Sequence, residues 1–354
     1  MNHLSLLRIK VARLARWEFW PAWAIYALIV PRLVIDAVRA RGSTVCTAVN
    51  PSIPLNDVIG ESKAETLSQL PAAWTITSHL ITPGQPSGRM SCLTSFMQQH
   101  NLSWPIILKP NVGERGTGVR LITSADAAER YLTRYQSAAI AQEYHAGPYE
   151  AGIFYIRYPS QPSGIIFSMT DKQFPQVTGD GTSTLTALIE RNPRLRLQLH
   201  IFLARLGERH REVPSRGQVV ALAIAGNHCR GTTFLDGAAI GTEALRQTFD
   251  TISHATPGFY FGRFDVRYRD RADLIAGCGF KIIELNGLLS EATHIYAPGT
   301  GFWAGQQVLR EQWRHAFAIG RENVRRGVRP PGLRELFKVI LAHRHRPDAD
   351  AESD

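Results

Sequence analysis

The stretch Gly262–Asn286, GRFDVRYRDRADLIAGCGFKIIELN, decides how the chain is read. Two apolar runs, Phe261–Tyr268 and Lys281–Leu285, flank a polar interval rich in arginine and aspartate. They read as adjacent strands on either side of a turn-like segment. A side-chain period of two puts Arg263 and Asp265 on one face of the first strand. Glu284 and Asn286 then share a face of the second. An arginine, two carboxylates and a carboxamide converge on one side of a sheet. Hard oxygen donors at that density suit Mg²⁺, which keeps water and phosphate oxygens as its other ligands. A half-exposed hairpin whose charges face water is the plainer alternative.

Upstream, Trp104–Lys109 is an apolar run ending in Lys109 and Pro110. Gly113, Gly116 and Gly118 follow within six residues, and Val119–Ile122 closes a hairpin. A turn without Cβ atoms brings backbone N–H groups close to phosphate oxygens. This is not a Walker loop, in which the lysine follows the glycines and opens a helix; nor does the glycine spacing fit a dinucleotide fingerprint. An ordinary flexible turn is the alternative. Ser124 caps a helix running to Tyr135. Ala138–Gln142 is a strand leading into Glu143, Tyr144 and His145, and Gly152–Tyr158 and Gly164–Thr170 are further strands. Lys172 follows the last of them. Asp180–Thr182 is a turn that hands over to a helix beginning near Ser183 or Thr184.

Taken in order, these pieces resemble the ATP-grasp ligases. Lys109 with its Gly-rich hairpin, Gln142-Glu143 through Glu150, Lys172, Arg263-Phe264-Asp265 and Glu284-Leu285-Asn286 look most like D-alanine–D-alanine ligase. Val177–Gly181, and Pro214–Val219 followed by Asn227, are similar to cyanophycin synthetase. The resemblance covers roughly residues 90–320. It implies an ATP-grasp fold, in which two α+β subdomains grip ATP. It implies that Lys109 and Lys172 contact the nucleotide phosphates under a lid containing Gly113, Gly116 and Gly118. Gln142, Glu143, Tyr144 and His145 become the hinge that holds adenine, and Glu150 becomes the ribose carboxylate. Asp265, Glu284 and Asn286 become the metal ligands, with Glu284 shared by two Mg²⁺ ions and Mn²⁺ as a substitute. Arg263 becomes the catalytic arginine that steadies charge on an acyl phosphate. The implied reaction is ATP-dependent joining of a carboxylate to an amine. Its rivals are a kinase with a stable phosphorylated product and a non-catalytic nucleotide sensor. Glu143, Glu150 and Lys172 also have bland readings as solvated surface charges. After Asn286, Ser290, Glu291, Thr293 and His294 stand where second-substrate contacts could lie, or in a plain loop.

Composition bounds the rest. The chain has 354 residues and a formal net charge of +10, carried almost wholly by arginine. Lysine occurs only at 10, 63, 109, 172, 281 and 338. Basicity fits an anionic substrate or lipid, while no zinc spacing or aromatic-basic cluster marks a nucleic-acid module. The four cysteines contain no Cys-x-x-Cys pair, which argues for a reducing, cytoplasmic compartment. Residues 1–42 form a basic, apolar helical segment. Its uncharged run, Phe19–Pro31, is too short for a membrane span and suits a helix lying on the inner membrane face. A helix packed on the next domain or in a homodimer contact is the alternative. Residues 43–90 read as a small α/β domain, with strands at Thr44–Val49 and Trp74–Ile81, a helix at Ser62–Leu70 and a linker at Pro83–Gly88. Residues 91–327 are the ATP-grasp domain. Residues 328–354 are a C-terminal helix and tail, disordered from 342. The Arg-rich segment 191–216 reads as an amphipathic helix with a solvated basic face.

Overall fold

A computed structural model describes residues 11–53, 62–113, 116–223 and 226–344, apart from the side chains of Cys229 and residues 339–344. The fold is mixed α and β with antiparallel sheets. In chain order the strands are β1 (Ser78–Ile81), β2 (Ile106–Pro110), β3 (Arg120–Ile122), β4 (Ala139–Glu143), β5 (Tyr149–Ile156), β6 (Ile165–Gln173), β7 (Gln176–Thr178), β8 (Val219–Ala221), β9 (Thr233–Asp236), β10 (Phe261–Tyr268) and β11 (Phe280–Asn286). They form a four-stranded sheet β1-β4-β2-β3, a five-stranded sheet β11-β10-β5-β6-β9 and the small pair β7-β8.

The deciding stretch forms two paired antiparallel strands. Arg263 lies opposite Asn286 and Asp265 opposite Glu284. The interval between them is a short helix, Arg271–Ile275, whose N-terminus is capped by Asp270. The register shifts after Asp265, leaving Ile283 without an opposite residue. Such a bulge re-aims the backbone locally, and the Ile283 carbonyl is one that the site uses.

Alternation divides the five-stranded sheet into two faces. Ile153, Tyr155, Phe264, Val266 and Tyr268 enter one core, packed on helix Glu243–Ala255 through Phe249 and Ile252. Phe154, Ile156 and Phe261 enter another, covered by helix Phe302–Arg325 through Leu309, Trp313 and Ala316. Along that second face the residues turn from apolar to charged. Past Phe154 and Phe261, the same alternation exposes Arg263, Asp265, Glu150 and Lys172 to the gap between the sheets.

The N-terminal segment is packed rather than free-standing. Trp17, Ile25 and Ile29 share the core of helix Phe302–Arg325. Trp17 Nε1 donates to the Thr300 carbonyl at 2.8 Å, and Gln306 Nε2 to the Ile25 carbonyl at 2.9 Å. The opposite side of helix Val30–Arg39 is uncovered among the described residues. Val30, Val34 and Val38 are exposed at four-residue spacing, and Trp23 is 76% exposed nearby in sequence. No helix among the described residues is long and apolar enough to cross a membrane.

Three local expectations are corrected. Thr44–Val49 is no strand: Val45–Ala48 is a buried 3₁₀ turn beneath helix Phe302–Arg325. Pro83–Gly88 is no free linker, because Pro86 opens a helix that continues through Gly88 to Gln99. The 191–216 segment is not one helix. A 3₁₀ turn at Leu195–Gln198 leads into helix Leu199–Leu206, which ends where Gly207 takes φ 51°. Of the strand read at Trp74–Ile81, Ser78–Ile81 forms β1. Ile282 N donates to the Trp74 carbonyl at 2.7 Å and Ile76 N to the Ile282 carbonyl at 3.0 Å. From Ser78 the same segment pairs with β4. The tail beyond residue 344 lies outside the described residues.

Candidate active site

The site lies where the gap between the sheets meets the charged end of the second face. Lys172, on β6, is buried and reaches Glu150 at 2.8 Å and Asp265 at 3.0 Å. Arg263 Nε donates to the other Asp265 oxygen at 3.0 Å, and its Nη1 to the Glu291 carbonyl at 3.1 Å. Arg267 Nε donates to the second Glu150 oxygen at 2.9 Å. Gly152 makes this convergence feasible. A Cβ there would stand 3.2 Å from Arg263 Cδ, 3.3 Å from Asp265 Oδ1 and 3.6 Å from Lys172 Cε. Burial works to lower the Lys172 pKa, but the carboxylates of Asp265 and Glu150 outweigh it and hold the ammonium charged.

Lys109 enters from the four-stranded sheet. Its ammonium donates to Gln142 Oε1 and to the bulged Ile283 carbonyl, both at 3.2 Å. Gln142 Nε2 donates to the same carbonyl at 3.2 Å. Burial drives the Lys109 pKa down to about 8, and neighbouring Lys63 adds to the fall, against the pull of Glu284. Lys109 and Lys172 therefore address one acidic cluster from two sheets. Glu284 is held well below the usual carboxylate range: burial works to raise it, and Lys63 and Lys109 more than reverse that.

Other expected residues fall around this centre. Gly116 and Gly118 take φ 70° and 73°, left-handed values that favour glycine, at the β2–β3 turn. Gly113 has φ 159°, extended backbone. Thr117 in this turn accepts from Arg230 across the gap at 3.4 Å. Glu143 ends β4, and Tyr144 and His145 open the link to β5, the connection between the two main sheets. Burial, then Arg267, keeps the His145 pKa low. Glu150, read from the sequence as a ribose ligand, has both oxygens engaged by Lys172 and Arg267, and Gly226 lies over it. Among the second-substrate candidates, Ser290 bonds back to the Gly287 carbonyl, Thr293 to Thr170 and His294 to Ser168. Glu291 accepts from Tyr26 at 2.6 Å and Tyr296 at 2.9 Å.

The donor set fits a hard cation. Asp265 and Glu284 face each other across β10 and β11, and Asn286 Nδ2 is buried without a hydrogen-bond partner. Turning that amide over puts its oxygen in the orphaned position, the atom a divalent ion takes. No group of three His, Cys, Asp or Glu side chains able to hold a metal is found among the described residues. The candidate set is thus two carboxylates and a carboxamide.

Sequence reasoning missed Lys63, whose ammonium pairs with Glu284 Oε1. It also missed Asn111, which holds the start of the Lys63 helix, and Arg267, which shares Glu150. Nothing in the local pattern around Lys63 pointed here; the scarcity of lysine was the sole available signal.

No protein-family model matches the chain, and no curated protein sequence does. Among solved structures it is similar to a bifunctional glutathione synthetase from Pasteurella multocida, at 18% identity and a TM-score of 0.37 over 71% of this chain and 35% of that one. It is similar to the D-cycloserine synthetase DcsG at 14% and 0.40, over 71% of this chain and 69% of that one. It is similar to the D-alanine–D-alanine ligase of Bacillus anthracis at 12% and 0.38, over 74% and 68%. The chain thus spans about a third of the length of the glutathione synthetase. These likenesses are partial, and what the residues do rests on the geometry of the site itself.

Proposed function

We propose that the chain is a Mg²⁺-dependent ATP-grasp enzyme that joins a carboxylate to an amine at the cost of ATP. One observation carries the reading: from two separate sheets, Lys172 pairs with Asp265 on β10 and Lys109 bonds to the Ile283 carbonyl on β11, next to Glu284. Fixed cations beside hard oxygen donors match the needs of a metal-bound triphosphate. Asp265, Glu284 and Asn286 would hold Mg²⁺, as two ions sharing Glu284 or with Mn²⁺ in their place, and bound metal supplies neutralisation of phosphate charge.

The chain's own residues then have distinct tasks. Lys109 and Lys172 bind phosphate oxygens, the first exchanging its neutral partners, Gln142 and the Ile283 carbonyl, for an anion. Glu150 fixes Lys172 and Arg267 from beneath. The donor carboxylate attacks the γ-phosphorus, the bond to the β-bridging oxygen breaks, and ADP leaves. An amine next attacks the acyl carbon, inorganic phosphate departs and the amine loses a proton. Arg263, a rigid guanidinium on the strand, steadies the charge that develops on phosphoryl and carbonyl oxygens. The Gly116–Gly118 turn supplies N–H groups and excludes water that would hydrolyse the acyl phosphate. Gln142 to His145, between the sheets, supply the backbone for adenine.

Incubation of the protein with Mg²⁺, ATP and arrays of small carboxylates and amines tests this. ADP and phosphate released only when an acid and an amine are both present support the ligase. A phosphorylated product that survives points to a kinase, and nucleotide binding without turnover to a sensor.

A second reading concerns location. The uncovered Val30, Val34 and Val38, with Trp23 and the neighbouring Arg32, Arg39 and Arg41, suit an anionic membrane face on the cytoplasmic side. Co-sedimentation with phosphatidylglycerol vesicles and not with phosphatidylcholine vesicles is expected. A homodimer through the same face would appear instead as a doubled mass in solution without lipid.

A further inference from the structure

Lys63 does not belong to the sheets that carry the other site residues. It comes from a short helix, Lys63–Ser68, upstream of both. Its placement is nonetheless built. Lys63 N donates to the Asn111 carbonyl at 3.1 Å and Ala64 N to Asn111 Oδ1 at 3.0 Å. Asn111 Nδ2 donates to Ser62 Oγ at 3.0 Å. Asn111 is buried, two residues after Lys109, where the chain leaves β2 for the Gly-rich turn. This clasp carries the Lys63 ammonium to Glu284 Oε1.

The pairing has a chemical consequence. Both Asp265 oxygens already have cationic partners, Arg263 and Lys172. Asn286 offers a neutral amide. Asp265 thus keeps a cation from its own strand, Arg263, whereas the ion pair of Glu284 is with Lys63, from a helix outside both sheets, and a metal ion at Glu284 must displace it. A displaced ammonium is not lost, since the Asn111 clasp holds its backbone above the same site. There it adds to Lys109, Lys172 and Arg263, an excess of positive charge suited to a transferring phosphoryl group.

We propose that Lys63 is an exchangeable counter-ion: it neutralises Glu284 before metal binds, is displaced by the ion, and then becomes the third lysine contacting the transferred phosphate. The inference rests on the ATP-grasp reading. It makes Lys63 oppose metal binding and favour phosphate binding, two effects of opposite sign.

The test uses full-length protein, Mn²⁺ as the spectroscopic metal, ADP, and inorganic phosphate as the anion. Mn²⁺ binding is followed by electron paramagnetic resonance, and phosphate binding to the Mn²⁺·ADP complex by calorimetry. Lys63→Met is expected to bind Mn²⁺ about tenfold more tightly and phosphate about tenfold more weakly than wild type, the scale of one charge-assisted contact. Lys63→Arg, which keeps the charge and controls for folding, is expected to stay near wild type in both. Weakening of both affinities in Lys63→Met, or no change in either, overturns the proposal and leaves the nucleotide reading standing if wild type binds Mn²⁺·ADP. Failure of the wild type to bind Mn²⁺·ADP removes the nucleotide reading itself, and the Lys63 proposal with it.

Discussion

Replacing Lys109 with methionine separates what this lysine does for stability from what it does for binding. Burial lowers its pKa from 10.5 to about 8, a difference equivalent to about 3 kcal/mol. The direction matters. Between these values the unfolded chain holds a proton that the folded chain has released, so stability rises with pH across that window. Lys109 imposes its full penalty below pH 8 and none above about pH 10.5. The variant lacks this dependence. It also leaves Gln142 Oε1 without its donor, a loss of about 1 kcal/mol or more that does not vary with pH. Urea unfolding of both proteins at pH 7 and pH 10 isolates the titration. The stability of wild type minus that of the variant is expected to rise by roughly 2–3 kcal/mol over that interval. Nucleotide binding by the variant at pH 7 should weaken by about ten- to a hundredfold, the value of a hydrogen bond to a charged group. A stability difference that is flat with pH, or falls, refutes the assignment of Lys109 as a desolvated ammonium.

Other perturbations address other parts of the molecule. Glu284→Gln removes one of the two carboxylates proposed to hold metal; turnover should fall by about a hundredfold or more while circular dichroism stays native, and unaltered turnover takes that residue out of the site. Glu150→Gln leaves buried Lys172 and Arg267 short of a counter-charge, and should cost about 3–5 kcal/mol in chemical denaturation. Gly320→Ala places a Cβ 2.1 Å from the Val45 carbonyl, so helix Phe302–Arg325 must lift from the Val45–Ala48 turn; a loss of about 1–3 kcal/mol and a lower melting temperature are expected.

Much of the local structure was legible because it is written in neighbouring residues. Ser62, Ser124 and Thr184 accept from the first turns of the helices they precede, as side-chain caps do. The alternation in Phe261–Tyr268 and around Glu284 gave both the strands and the face that holds Asp265. The failures share a different cause. Thr44–Val49 carries β-branched residues, yet the close approach of Gly320 and the core around Trp313 decide its shape. The strand at Ser78–Ile81 was read but its partner was not, because a strand does not announce its partner; pairing with Gln142 joins residues far apart in the chain. Lys63 was invisible for the same reason. Its role depends on Asn111 and Glu284, and no spacing near residue 63 encodes either. Glu150 was picked out by its spacing from Glu143, while its partners Lys172 and Arg267 lie on other strands that no local pattern reveals.

The segment Trp74–Ile81 bonds to β11 at one end and to β4 at the other, and Glu143 N donates to the Thr77 carbonyl at 2.9 Å between them. It stitches the two sheets along one edge, beside the 144–148 connection. That seam is made of backbone bonds, whereas Thr117 and Arg230 are joined by one exposed side-chain bond at 3.4 Å. In the function proposed above, any opening of the sheets to exchange nucleotide would therefore pivot on the seam.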